Sequence, residues 1–299
     1  LQTLTFLGLD EGDLSSEKAE VLIQPIPYDS TTSFQPGTRF GPEAILQASR
    51  QVELWDEELS WEPMGQNRSL TLSDIPPNHR GPEYMVRDIQ KALQPYWDQG
   101  KFILALGGEH TISLPLVRGV LERHPDLVLI TFDAHGDLRD AWEGTPFSHA
   151  CVLRRISELK VPVFHLGLRS LSGEEQAYLQ AQDLIRAYTS REILRDNGLD
   201  RFQRELAGFS GRSFYLSLDV DVFDPGLVPG TGTPEPGGLD WFTMLQALRL
   251  VSETGPIRGA DLCELMPLPG SRTSEFVAAK LIFKILSYNF YQKRSTGHV

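Results

Sequence analysis

The sequence predicts a single three-layer α/β/α domain with a mostly parallel sheet. Three observations predict it: short apolar, β-branched runs recur along the chain, segments of helical periodicity separate them, and no flexible linker or repeat interrupts the alternation. The runs at 21–26, 102–106, 127–132, 163–166, 214–218 and 257–262 are almost free of charge, as strands covered on both faces must be. Between them, helical spacing recurs at 42–54, 83–96, 114–123, 149–159, 191–206, 241–253 and 276–290. Gly41-Pro42 places proline where a helix can begin, and Gly237-Gly238 before Asp240 reads as a turn leading into another start. The stretch 60–81, rich in Pro, Ser and Asn, reads as a long excursion. In the last helix Phe276, Val277, Leu281, Ile282, Ile285 and Leu286 are expected to pack on the core. A closed parallel barrel shares this alternation, and the open sheet is the expectation.

Composition narrows the function. A chain of 299 residues can bury roughly three quarters of its unfolded surface in one unit. With 40% hydrophobic and 23% charged residues and no long uncharged apolar stretch, a membrane span is not expected. The first residues lack the basic start and apolar stretch of a signal peptide, and Cys151 and Cys263 make no disulfide framework, so a cytoplasmic setting is expected. A formal charge of −12 disfavours nucleic acid as a partner and suits a small cationic ligand.

Three strand ends carry the chemistry. The run at 127–132 leads into Asp133-Ala134-His135-Gly136-Asp137, where an extended backbone would put 133, 135 and 137 on one side. The run at 214–218 leads into Asp219-Val220-Asp221, and the run at 102–106 into Gly107-Gly108-Glu109-His110, whose glycines allow a tight turn. Ligands of open parallel sheets bind beyond the carboxyl ends of strands, which is where all three motifs fall. A single Asp-x-Asp or a lone histidine is common in turns, but six compatible ligands in three such motifs exceed what a turn needs. Four aspartates together repel one another unless cations hold them charged, and oxygen donors with two imidazoles and no thiolate favour Mn²⁺. Two such ions could share a water and lower its pKa, which is hydrolytic chemistry.

With these motifs in their order, the sequence resembles the ureohydrolases, the arginases and agmatinases, from about Pro27 to Pro269. Tyr28-Asp29-Ser30-Thr31-Thr32, Pro36 to Pro42, Asp224-Pro225-Gly226, Thr231 to Pro234 and Gly237-Gly238-Leu239 extend the likeness. It implies an arginase-like fold and two Mn²⁺, one on His110, Asp133, Asp137 and Asp219, the other on His135, Asp133, Asp219 and Asp221, with Asp133 and Asp219 bridging. It implies that Glu264 holds a guanidinium, that Thr233 supports Glu264, and that Asp137 helps move a proton. By the same likeness His149 delivers a proton to the leaving amine, Glu109 supports a ligand rather than binding an ion, and the chain forms a homo-trimer or hexamer.

The segment 138–149 departs from the arginase pattern, which argues against arginine as substrate, and resembles agmatinase-like members, as does 167–175. Trp142, Glu143 and Glu174 are candidates to meet a methylene chain and its terminal ammonium. The implied reaction takes agmatine to putrescine and urea, with the aminopropyl-extended agmatine, giving spermidine and urea, as the rival. Guanidinobutyrate would need a cationic tail partner, for which Arg169 is a weak candidate, and Gln35 stands where relatives often carry arginine. Readings of another class are a non-catalytic metal-binding homologue and a one-zinc deacetylase of related fold, separable by turnover and by metal stoichiometry.

Overall fold

The computed structural model describes residues 4–65 and 68–295. Eight strands, β1 (Val21–Ile26), β2 (Ser69–Thr71), β3 (Phe102–Gly107), β4 (Val128–Phe132), β5 (Val163–Leu168), β6 (Ile185–Thr189), β7 (Phe214–Asp219) and β8 (Ile257–Cys263), form one open sheet. Every pairing is parallel, in the order β2-β1-β3-β8-β7-β4-β5-β6. The open sheet, rather than the barrel, is therefore the architecture.

The period of two along each strand divides the interior into two cores. Val21 and Ile23 of β1, with Phe102, Leu104 and Leu106 of β3, face one layer, while Leu22, Ile26, Ile103 and Ala105 face the other. Helices α1 (Gly41–Ser49), α8 (Trp241–Thr254) and α9 (Thr273–Ser295) cover the first face. Helices α2 (Pro82–Asp98), α3 (Ser113–Arg123) and α4 (Val152–Ser157) cover the second. Each face thus supplies the apolar cover that largely apolar central strands require.

Several elements differ from expectation. Edge strands β2 and β6 carry the mixed compositions Ser-Leu-Thr and Ile-Arg-Ala-Tyr-Thr, without the apolar runs that mark the central strands. Strand β2 lies inside the excursion 60–81, of which residues 66 and 67 fall outside the described residues. The expected helix 191–206 is two, α6 (Ser190–Arg195) and α7 (Gly198–Leu206), because Asn197 takes a left-handed φ of 58°. Helix α5 (Gly173–Gln180) was not anticipated; its faces are mostly polar, and a Ser172/Glu175 capping box starts it. Of the six α9 residues named as core, Phe276 is instead 42% exposed. Lys284 on the same helix is buried beneath the segment before the excursion, with Nζ 2.8 Å from Asp56 and 3.0 Å from Glu58.

Candidate metal centre

Strands β3, β8, β7 and β4 are neighbours, and their carboxyl ends meet at the middle of the sheet. His110 follows β3, Glu264 follows β8, Asp219 ends β7 with Asp221 two residues on, and Asp133, His135 and Asp137 follow β4. The β4 extension is not straight to its end. Asp137 has φ 51°, so its side chain leaves the strand alternation and turns toward His110. Glu264 is likewise left-handed, at φ 62°, with its main-chain N–H bonded to the Gly108 carbonyl at 2.8 Å. Two non-glycine residues in this sparsely populated region at one site mark strain that packing must hold. Gly108 is required by closeness: a Cβ there would stand 2.0 Å from the Tyr28 carbonyl oxygen.

The side chains form two groups that could hold metal ions, His110 with Asp133 and Asp219, and His135 with Asp133 and Asp221. His110 Nδ1 lies 3.2 Å from Asp133, 3.3 Å from Asp137 and 3.6 Å from Asp219. His135 Nδ1 lies 2.8 Å from Asp221 and 3.8 Å from Asp133. Despite this closeness, His110 Nδ1 and Asp221 Oδ2 are buried without an aligned hydrogen bond. Atoms that converge on a point instead of bonding each other fit a cation placed between them. The donor set of carboxylate oxygens and imidazole nitrogens suits a divalent first-row metal.

The electrostatics agree with that fit. Burial pushes the carboxyls of Asp133, Asp137 and Asp219 up from the ordinary aspartate range, and mutual repulsion adds to it. Burial alone would lower the two imidazoles, but their carboxylate neighbours win: His110 is raised well above its usual value and His135 is pushed up to about 10. Asp221 is the exception, held low against burial by His135 and the Ala134 N–H. Protons on the imidazoles therefore offset charge that a pair of cations would offset more fully.

His110 is itself oriented from behind. Its Nε2 is 2.9 Å from Ser217 Oγ, which also bonds Asp261 Oδ1 at 2.9 Å, and Asp261 further accepts from Ser113 and Tyr215. Ser217 stands in the Ser217-to-Asp221 motif that carries the family likeness, but sequence reading gave neither it nor Asp261 a role. Ser217 lies two residues before Asp219 on the same strand face, and Asp261 is an acid inside an otherwise apolar central strand, which were the available signals.

A cavity of ≈ 340 Å³ lies at this cluster, lined by His135, Asp137, Asp219, His149, Thr233 and Glu264, and also by Trp142, Arg139, Ser33 and Glu175. Glu264 is buried and raised well above the ordinary carboxyl range, by desolvation first and by Glu109 second, so its charged form lacks a cationic partner that a guanidinium beside it would supply. The hydrogen bond Glu264 accepts comes from the His110 N–H at 2.7 Å and not from Thr233. Glu109 faces away from the ligand groups and binds the loop at Ser30 and Thr31.

The proposed tail contacts fare unevenly. Trp142 lines the cavity, but the Arg139 guanidinium already stands 4.2 Å over its ring. Glu143 is exposed at the tip of a two-residue turn between Trp142 and Thr145. Glu174 is exposed on the first turn of α5 and does not line the cavity; its buried neighbour Glu175 does, where it caps α5 and accepts the Leu138 N–H. Arg169 spends its guanidinium on main-chain carbonyls of 221, 223 and 235, which leaves it poorly placed to receive a carboxylate tail. Among the described residues no helix is long and apolar enough to cross a membrane.

Comparison with known proteins bears on the family and the fold. The family model described as the arginase family matches residues 19–287. The chain is 38% identical to N(1)-aminopropylagmatine ureohydrolase of Synechocystis sp. over 93% of its own length and 92% of that protein's. It is 32% identical to the agmatinase of Bacillus subtilis, over 90% and 92% of the two chains. The solved agmatine ureohydrolase of Thermoplasma volcanium superposes with a TM-score of 0.84 at 27% identity, covering 95% of this chain and 94% of that one. Likeness across nearly the whole length, in sequence and in fold alike, establishes that this chain belongs to the arginase family.

Proposed function

We propose that the protein is a two-Mn²⁺ ureohydrolase that converts agmatine to putrescine and urea. The observation that carries the reading is that the buried Glu264 lines the same cavity as Asp219 of one ligand group and His135 of the other. His110, Asp133, Asp137 and Asp219 would hold one ion, and His135, Asp133, Asp219 and Asp221 the other. Bound together, such ions supply an acidified shared water and offset negative charge as it develops. Glu264 orients the guanidinium by paired hydrogen bonds, which keeps its carbon over the cluster. Asp137 moves a proton from the attacking side, and His149 gives one to the departing alkylamine, leaving urea.

The tail would lie along Trp142 and Ser33, which line the cavity, with the ammonium toward Glu143, which is next to Trp142 in the chain but is not itself part of the lining. A second reading, hydrolysis of the aminopropyl-extended agmatine to spermidine and urea, is favoured by the 38% identity to the Synechocystis enzyme of that name. Homo-oligomerisation as a trimer or hexamer and a cytoplasmic location belong to the same proposal, the latter supported by two buried free thiols. The test is urea release by the Mn²⁺-loaded protein from agmatine, aminopropylagmatine, arginine and guanidinobutyrate in parallel. Preference for either amine supports the proposal and ranks its two readings. Urea from none, with two ions bound, would favour a non-catalytic role or another guanidine.

A further inference from the structure

The Ser30–Thr31 loop and His149 come from distant parts of the chain and meet at the rim of the cavity. Thr31 Oγ1 has one proton to donate and two lone pairs with which to accept. It lies 2.8 Å from Glu109 Oε1, 3.0 Å from the His149 main-chain N–H and 3.2 Å from His149 Nδ1. Glu109 also accepts the Ser30 and Thr31 N–H groups at 2.6 Å each, so as a carboxylate it is the acceptor of the threonine proton. Thr31 Oγ1 is then left only with lone pairs toward His149, and Nδ1 must bring the hydrogen.

The other ring nitrogen agrees. Ser33 Oγ is 3.1 Å from Trp142 Nε1, which can only donate, and 2.9 Å from His149 Nε2. With the indole hydrogen accepted, the serine proton is free to point at Nε2. The bonds then run in one direction from Trp142 through Ser33, His149 and Thr31 to Glu109. The competing donor to Nδ1 is the Ser148 hydroxyl, at the longer distance of 3.5 Å.

We propose that Thr31, held by Glu109, is a positioning residue that sets the Nδ1–H tautomer of His149 and leaves Nε2 as its proton-exchanging nitrogen. This deepens the proposed function and rests on it for the proton's destination. Nε2 accepts a proton from the Ser33 hydroxyl, which is replenished from solvent at the exposed end of the chain of bonds. The imidazolium keeps its Nδ1–H on Thr31 and returns the Nε2 proton to the leaving amine nitrogen as the C–N bond breaks, restoring the neutral ring. Thr31 is the better acceptor for having given its own proton to a carboxylate.

Histidine-¹⁵N spectra of the Zn²⁺-loaded protein test the tautomer, with His149→Gln used to assign the signal. Wild type should show a protonated Nδ1 and a bare Nε2, Thr31→Ser should keep that pattern, and Thr31→Val should lose it. In Mn²⁺-loaded enzyme Thr31→Val should lower kcat about tenfold or more with little change in KM, and Thr31→Ser should restore most of it. A bare Nδ1 in wild type overturns the proposal even if no variant folds. So does a spectrum unchanged in Thr31→Val, or a serine variant as impaired as the valine one. Because the spectra need no turnover, failure to release urea from any guanidine would strike the functional reading without touching the tautomer.

Discussion

Removal of the hydroxyl behind His110, in Ser217→Ala, should weaken ion binding without unfolding the sheet. An ion on Nδ1 forces the ring's proton onto Nε2, which in wild type donates to Ser217 Oγ at 2.9 Å. The variant leaves that N–H buried with no acceptor, because Asp261 reaches the ring only through the serine. The ion-free site can escape by releasing the Nε2 proton and keeping the one on Nδ1, so the cost falls on the ion-bound state. An unpaired buried donor costs about 1–3 kcal/mol, which is about 5- to 150-fold in affinity. Outer-shell partners of metal-bound histidines usually matter by about 10- to 100-fold, in the same range. Asp261 stays satisfied by Ser113 at 2.8 Å and Tyr215 at 2.8 Å, so the ion-free fold should lose little. The assay is Mn²⁺ competition against a chelator of known affinity, alongside thermal melting of the stripped protein. Wild-type affinity in Ser217→Ala would show that the serine does not hold the metal-bound ring, as would weakened binding that merely tracks a collapsed melting temperature.

Two further outcomes follow from the same geometry. Glu264→Gln should keep both ions, since Glu264 belongs to neither ligand group, yet lose about 1.5–3 kcal/mol of the charge-assisted pair with a guanidinium, lowering kcat/KM about 10- to 150-fold; unchanged kinetics would contradict it. Burial pushes the Cys151 thiol up to about 11 and Cys263 well above its ordinary value, so the reactive thiolates form only at strongly alkaline pH. A disulfide reagent at pH 8 should therefore find neither thiol in the native protein and both in denaturant, and rapid native labelling would count against their burial.

The central strands were legible because burial on both faces keeps them mostly apolar, with exceptions such as Ser217 and Asp261, and the ligands were legible because period two aims most of them together. Where neighbours decide, the sequence was silent. Strand β2 is three residues, Ser69–Thr71, held at an edge by β1 alone, and β6 mixes Arg186 with Tyr188 because half of it meets solvent. The choice of Glu174 over Glu175 turned on helix phase, which the unpredicted capping box at Ser172 sets. Asp137 was expected on the extended strand, and its convergence on His110 comes instead through a left-handed turn. The bonds from Glu109 to Thr31 span 78 residues and could not be read from local pattern at all.

If the ligands at the ends of β3, β7 and β4 form one catalytic centre for a pair of ions, activity must follow the filling of both positions. The most direct measurement is stepwise addition of Mn²⁺ to metal-stripped protein, with bound ion and urea from agmatine and aminopropylagmatine followed in the same samples. Urea should be negligible before any ion is bound and reach full activity only as the second equivalent per chain fills. Full activity in stripped protein, or a plateau at one equivalent, would contradict it.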